Sequence, residues 1–265
     1  MNILLIGCGN MGGSMLAGWL AGGLAPERFT VVDPLLTEAP AGVTLLREVP
    51  QVGKFEVILL GFKPQQLAEA VVPIEPLAGR GTLVLSLLAG VDVETLARLL
   101  PLAGGIVRVM PNLAVALGKA PIGLFGAVDS VGRAVIDALL APLGEAEWLI
   151  DEALMDVVTA LAGSGPAFVY RMIDALAAGA AALGLPREQA DRLALSMVEG
   201  AAMLAAAADA PPGELARRVA SPGGTTEAGL KVLDADARLA QLMEDTLRAA
   251  RDRSVAIAQA ARTAS

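Results

Sequence analysis

Gly7, Gly9 and Gly12 stand in the spacing G-x-G-x-x-G within "LLIGCGNMGGSMLAG", directly after an apolar run and at the opening of a helical pattern. Each glycine has a physical role in such a turn. The first allows the tight bend, the second lets a pyrophosphate approach the backbone, and the third permits close packing of helix on strand. The positive end of the following helix attracts the phosphate charge. Asn10 and Met11 complete the turn, and Asp33 closes the next apolar run. A carboxylate there can accept hydrogen bonds from adenosine ribose hydroxyls and repels a 2′-phosphate. No Arg or Lys follows it until Arg47. The constellation predicts a dinucleotide cofactor, NADH or NADPH, with Asp33 favouring NADH; Asp33 also reads as the cap of a turn with Pro34.

A second chemistry-bearing stretch is "SPGGTTEAGLKVL", Ser221 to Leu233. Gly223 and Gly224 are expected to expose backbone N–H groups, and a helix beginning near Thr225 presents its positive end. That makes an anion site without arginine. Thr226 supplies a hydroxyl. Ser221 either assists at a bound carboxylate or caps the helix, and the whole stretch also reads as an ordinary turn with threonine caps. The usual acid–base side chains are scarce: the chain has no His, one Cys and four lysines, Lys54, Lys63, Lys119 and Lys231. An internal disulfide and a thiolate metal site are excluded on these counts, and no zinc, haem or other metal is expected. Cys8, inside the glycine turn, reads as a small packed residue.

The elements that must position these residues change character along the chain. "NILLIG", "FTVVD", "EVILLGF" (Glu56–Phe62), "GTLVLSLLA" (Gly81–Ala89), "GIVRVM" (Gly105–Met110) and "APIGLFG" (Ala120–Gly126) read as strands. Helical patterns intervene at about Gly12–Gly22, Gln65–Val72 and Val93–Leu100. Apolar runs alternating with helices imply a mostly parallel, doubly wound sheet, so residues 1–150 are expected to form an α/β domain. After "EAEWLI" (Glu145–Ile150) strand signals stop. Asp151–Leu161, Ala167–Leu183, Arg187–Ala208 and Leu239–Ala260 carry helical spacing, broken at "GSGP" (Gly163–Pro166), "GLP" and "APPG". Residues 151–265 are expected to be an all-α domain. "GSGP" interrupts a helix and suits close packing better than phosphate binding.

Hydrophobic residues make up 55% of the chain and aromatics only 3%, so the core is expected to be Ala, Leu and Val. The net charge of −8, without basic clusters, argues against nucleic acid. Residues 2–26 are uncharged but contain many glycines and no basic start, which argues against a membrane span or leader and for a cytoplasmic protein. The apolar, Ala-rich helical half predicts a homodimer or higher homo-oligomer.

Taken together, "IGCGNMGG", "FKPQQL" (Phe62–Leu67), "VRVMPNLAVALGKA" (Val107–Ala120), "LAGSGPAFVYRMIDAL" (Leu161–Leu176) and "VASPGGTTEAGLKVL" (Val219–Leu233) resemble the pyrroline-5-carboxylate reductase family over nearly the whole length. The resemblance implies an N-terminal Rossmann domain, a helical dimerisation and substrate domain, and reduction of the cyclic imine 1-pyrroline-5-carboxylate to L-proline by NAD(P)H. It implies that Lys63, Pro64 and Asn112 lie at the nicotinamide end, although both proline segments also read as strand ends and Lys63 as a solvated charge. It assigns the hydrogen bond to the ring nitrogen to Thr226, the one catalytic residue, with Ser221, Gly223, Gly224 and Thr225 around the substrate. Gly61 and Phe62 stand where the family often has Ala-Val, and Leu113 and Ala114 where it often has Thr-Pro. Hydroxyacid-type dehydrogenases share the plan but use a Lys on the helical domain, and none lies between Asp151 and Ala208. A non-catalytic nucleotide-sensing module is the remaining alternative.

Overall fold

The computed structural model describes residues 1–263. The strands are β1 (Ile3–Ile6), β2 (Phe29–Val32), β3 (Thr44–Leu46), β4 (Val57–Leu60), β5 (Leu83–Ser86), β6 (Gly105–Met110), β7 (Ala120–Ala127) and β8 (Gly144–Trp148). They form one sheet in the order β3-β2-β1-β4-β5-β6-β7-β8. The first six are mutually parallel, β7 runs antiparallel to β6, and β8 lies parallel to β7. The chain winds outward from β1 in both directions, which is the doubly wound Rossmann plan, and the strand order reverses between β1 and β4.

Helices α1 (Asn10–Ala21), α2 (Leu67–Ile74), α3 (Val93–Leu99) and α4 (Ser130–Leu140) connect the strands. β1 and β4 are buried at every position, as expected of strands covered on both faces. Two apolar clusters flank the sheet. One gathers Met15, Leu16, Trp19, Ile136, Leu139 and Leu140 over Ile3 and Leu5; the other gathers Val71, Ile74, Leu77 and Leu96 over Leu4, Ile58 and Val84. Trp19 stacks on Phe29 with ring centroids 5.5 Å apart and donates its indole N–H to the Leu139 carbonyl at 2.7 Å. Arg108 on β6, only 9% exposed, pairs with Glu152 at 2.9 Å, and the same Glu152 oxygen accepts from the Val93 N–H that opens α3.

The second half carries α5 (Leu154–Val158), α6 (Gly165–Ala182), α7 (Arg187–Ala206), α8 (Pro212–Arg218), α9 (Thr225–Asp234) and α10 (Arg238–Thr263). The sequence pattern predicts helix from Asp151, but the Asp151 side chain accepts from the Ala153 N–H at 2.9 Å and holds a turn there. A wide π turn, Thr159–Gly163, follows α5, so "GSGP" does interrupt the helix. Strand β3 and helices α4 and α8 are not anticipated by the pattern. β3 has three residues, only partly buried, too short for a periodic signal.

By contacts the chain divides into two compact units, Met1–Gly163 together with the chain from Ala250 onward, and Ser164–Ala249. In the first, Ser254 on α10 donates to Asp156 at 2.6 Å. In the second, α6 packs on α7 around Ala177, Ala190 and Ala194, its only buried residues. No helix among the described residues is long and apolar enough to cross a membrane.

Candidate active site

The point of strand reversal places the C-terminal ends of β1 and β4 side by side, where ligands bind in such sheets. Gly7 leaves β1 with φ +86°, and a Cβ on it would stand 2.7 Å from the Gly61 carbonyl carbon and the Phe62 nitrogen. Gly61 leaves β4 equally close, its own hypothetical Cβ 2.6 Å from the Gly7 carbonyl oxygen. The two strand ends thus touch backbone to backbone. A Cβ on Gly12 would meet the Gly7 oxygen at 2.5 Å, so α1 starts directly against the turn. Gly9, the N-cap of α1, has nothing within 4 Å of its Cβ position. That opening, beside the N–H groups of Asn10 and Met11 in the first helical turn, fits a pyrophosphate.

Asp33 follows β2 and is held inward. Its Oδ2 accepts from the Cys8 N–H at 2.8 Å; its Oδ1 accepts from Leu35 and Leu36 N–H groups at 2.8 and 3.1 Å. The carboxylate therefore ties the glycine turn to the segment after β2, and the turn with Pro34 is present as well. Cys8 is buried and its thiol is pushed up to about 11, by burial first and by the Asp33 charge second. Lys63 is exposed, at the end of β4; its N–H donates to the Gln66 side chain at 3.2 Å, and Pro64 begins a short 3-10 turn leading into α2.

Asn112, beyond β6, is 7% exposed and hydrogen-bonded at both polar atoms of its amide. Its Nδ2 donates to the Ala162 carbonyl at 2.9 Å, and its Oδ1 accepts from the Ala114 N–H at 2.9 Å. The side chain caps the turn Leu113–Leu117 and fastens it to the π turn. Gly7, Gly9, Asn10, Met11, Gly12, Asp33, Lys63, Pro64 and Asn112 thus all lie at the ends of the parallel strands, but Asn112 meets backbone with both polar ends.

The remaining predicted residues belong to the other compact unit. Ser221, Pro222, Gly223, Thr225 and Thr226 are exposed. Gly223 has φ +71° and open space around it. Its N–H donates to Glu227 Oε2 at 2.6 Å, and the Gly224 N–H donates to the Ser221 carbonyl at 2.9 Å. The expectation of two exposed glycine N–H groups is therefore not met: a carboxylate from the next helical turn reaches back to one, and the tight turn consumes the other. The N–H groups of Thr225, Thr226 and Glu227 precede the first helical bond, from Ala228 to the Gly224 carbonyl, so the positive end of α9 begins with them. Gly224 leaves no room for a side chain against the Ser221 hydroxyl.

Glu227 is a residue the sequence reading missed. Glutamate at the third helical position after a cap is a known reach-back signal. The Gly223 N–H, and then Lys231 at 3.1 Å, hold its carboxyl below the usual glutamate range. A cavity of about 450 Å³ along α9 is lined by Arg217, Ala220, Glu227, Leu230 and Lys231 among others, but by neither Thr225 nor Thr226. Gly61 was visible only as a departure from the family pattern; its reason, the Gly7 carbonyl, is a contact between distant parts of the chain. Among the described residues no cluster of His, Cys, Asp and Glu could hold a metal ion.

Comparison with known proteins agrees with this layout. Residues 152–257 match the family model described as pyrroline-5-carboxylate reductase dimerisation, and residues 2–90 match one described as NADP oxidoreductase coenzyme F420-dependent. The chain is 35% identical over 265 residues to pyrroline-5-carboxylate reductase of Pseudomonas aeruginosa, covering 97% of each. It is 36% identical over 243 residues to that of Aquifex aeolicus, covering 88% of this chain and 89% of the other. Among solved structures, a pyrroline-5-carboxylate reductase of Coxiella burnetii superposes with a TM-score of 0.89 at 32% identity, covering 96% of this chain and 97% of that one. With a dinucleotide-type turn at the strand reversal, a helical second half, and near-complete relatives above 30% identity, the chain belongs to the pyrroline-5-carboxylate reductase family.

Proposed function

We propose that the protein reduces 1-pyrroline-5-carboxylate to L-proline with NAD(P)H, the step that completes proline biosynthesis. The observation that carries this reading is the backbone-lined turn of Gly7, Gly9 and Gly12 at the strand reversal, in a chain of this family. The cofactor supplies a hydride, so no enzymic nucleophile is required. The protonated imine is already an electrophile: as the hydride joins its carbon, the C=N π pair becomes the amine lone pair, and no proton relay through histidine is needed.

The protein contributes orientation and charge. Gly7, Gly9, Gly12, Asn10 and Met11 hold the pyrophosphate, and Asp33 borders the adenosine ribose. Lys63 and Pro64 border the nicotinamide end, with Asn112 contributing by holding its loop. In residues 151–265, the N–H groups opening α9 receive the substrate carboxylate beside Ser221, Gly223, Gly224 and Thr225, and the Thr226 hydroxyl holds the ring nitrogen. The Asp33 carboxylate favours NADH. Residues 1–150 thus serve the cofactor and 151–265 serve substrate and assembly.

We also assign a homodimer or higher homo-oligomer, in the cytoplasm. A unit whose buried residues are three alanines leaves Tyr170 68%, Leu183 91% and Leu204 74% exposed, and faces of that kind are covered by a partner. The test is oxidation of NADH and of NADPH with 1-pyrroline-5-carboxylate and then with small 2-keto acids. Turnover of the imine alone supports the reading. Turnover of keto acids alone makes this a hydroxyacid-type dehydrogenase, and cofactor binding with no turnover makes it a sensing module. A higher kcat/KM with NADPH than with NADH removes the NADH preference.

A further inference from the structure

Arg108 is a charged side chain in an apolar place. It stands in β6 on the face of the sheet that carries Ile106, with Ser86 and Phe125 as its strand neighbours. Only 9% of the residue is exposed. A buried guanidinium must be paired, but well-packed apolar residues of like volume often serve stability as well as a buried ion pair does. Stability alone therefore does not call for this pair, whereas its geometry gives it a task.

Glu152 lies between β8 and α5. Its Oε1 accepts from Arg108 Nη1 at 2.9 Å and from the Val93 N–H at 3.0 Å, so one carboxylate joins β6 to the opening of α3. The Glu152 carbonyl accepts from the Met155 N–H at 2.9 Å, and the Met155 side chain is buried. Just beyond β6, Asn112 Nδ2 donates to the Ala162 carbonyl at 2.9 Å. Between these two anchors, Asp156 accepts from Ser254 at 2.6 Å. The segment from Glu152 to Ala162 is thus a bracket, fastened at its start by Arg108 and at its end by Asn112. It contains the π turn Thr159–Gly163, with Ala160 and Ala162 buried, a geometry found frequently at functional sites. A shift at the Glu152 end is passed through packed residues to the anchor that holds the Asn112 loop.

We propose that Arg108 is a positioning residue for the reaction: through Glu152 it fixes the bracket, and the bracket fixes the Asn112 loop at the nicotinamide end. Arg108 touches neither cofactor nor substrate in this scheme. The proposal rests on the imine-reductase reading above. The test uses the full chain as Glu152→Ala, as Glu152→Gln, and as the apolar double variant Arg108→Met with Glu152→Leu. Each is followed by thermal unfolding, by hydrogen exchange, and by kinetics with NADH and 1-pyrroline-5-carboxylate. Glu152→Ala should lower Tm and cut kcat roughly tenfold or more, the scale expected of misplacement away from the chemistry. Glu152→Gln keeps an acceptor for both donors and should recover most of that loss.

The double variant decides. It leaves no charge buried, so Tm should return close to that of the parent. Its kcat should stay low by roughly tenfold or more, with KM for NADH little changed and amide exchange between Ala153 and Gly163 faster than in the parent. Recovery of Tm and kcat together would make the pair structural only and overturn the proposal, as would parent-like turnover in Glu152→Ala. Should Glu152→Ala fail to fold, the Gln and double variants carry the same decision. A parent that does not turn over the imine refutes the functional reading instead, and the exchange rates still report whether Arg108 fixes the bracket.

Discussion

The glycine turn after β1 and the glycine loop before α9 look alike in sequence and are held in different ways. The turn is locked by parts of the chain far away in sequence: Gly61 against Gly7, and Asp33 on the Cys8 N–H. The loop is held by its own neighbours, Glu227 on Gly223 and Ser221 on Gly224, and is otherwise open. Both use a glycine at positive φ, +86° at Gly7 and +71° at Gly223. One is shaped by tertiary packing and the other by local hydrogen bonds, so substitutions should harm stability at the first and chemistry at the second.

The largest expected effect is at Gly7. Gly7→Ala combines the left-handed backbone cost, about 1–2 kcal/mol, with a clash against backbone that cannot move aside, about 1–3 kcal/mol more. Thermal unfolding should therefore begin many degrees lower, with cofactor binding lost. A Tm within two degrees of the parent would break the comparison at its first term.

Thr226→Val comes next and should leave Tm unchanged. Loss of a hydrogen bond to a charged or developing amine costs about 1.5–3 kcal/mol, or roughly 10- to 150-fold in kcat/KM. Cofactor affinity should barely change. Thr225→Val, as the control, should have a smaller effect on turnover. Parent-like turnover by Thr226→Val reduces the loop to a helix start.

Gly223→Ala sharpens the contrast with Gly7, because only the backbone cost applies where no atom lies within 4 Å. The expected loss is about 1–2 kcal/mol, seen as a modest drop in Tm. A loss equal to that of Gly7→Ala would mean the loop is packed as tightly as the turn.

The smallest effect concerns Cys8. Its thiol, pushed up to about 11, stays protonated through pH 9, where an ordinary exposed thiol is largely ionised. The sign is that of an acid kept neutral, so alkylation by iodoacetamide should stay slow until well above pH 9. Fast labelling at pH 8 would show that the turn opens. With no histidine to titrate, any change in kcat/KM near neutral pH should follow the imine's own protonation; the same transition in cofactor binding would implicate a protein group.

Much of the fold was legible because its signals are local. Apolar runs closed by glycine mark β1 and β4, and the fall of strand signals after residue 150 matches the end of β8 at Trp148. The glycine spacing marked the tight turn between β1 and α1, and "SPGGTT" marked the start of α9 at Thr225. β3 was not legible, since three residues, none of them buried, carry no period.

The sequence by itself determined which residue types are present: glycines where backbone must come close, a threonine hydroxyl, no histidine and a single cysteine. Only tertiary structure decided their partners. It set Gly61 against Gly7, Asn112 on the Ala162 carbonyl, and Glu227 on an N–H that sequence reasoning had left free for a ligand. The reason is physical. Turn and helix propensities act over a few residues and show in spacing, whereas strand register and backbone contact join segments tens of residues apart and depend on the packed sheet as a whole.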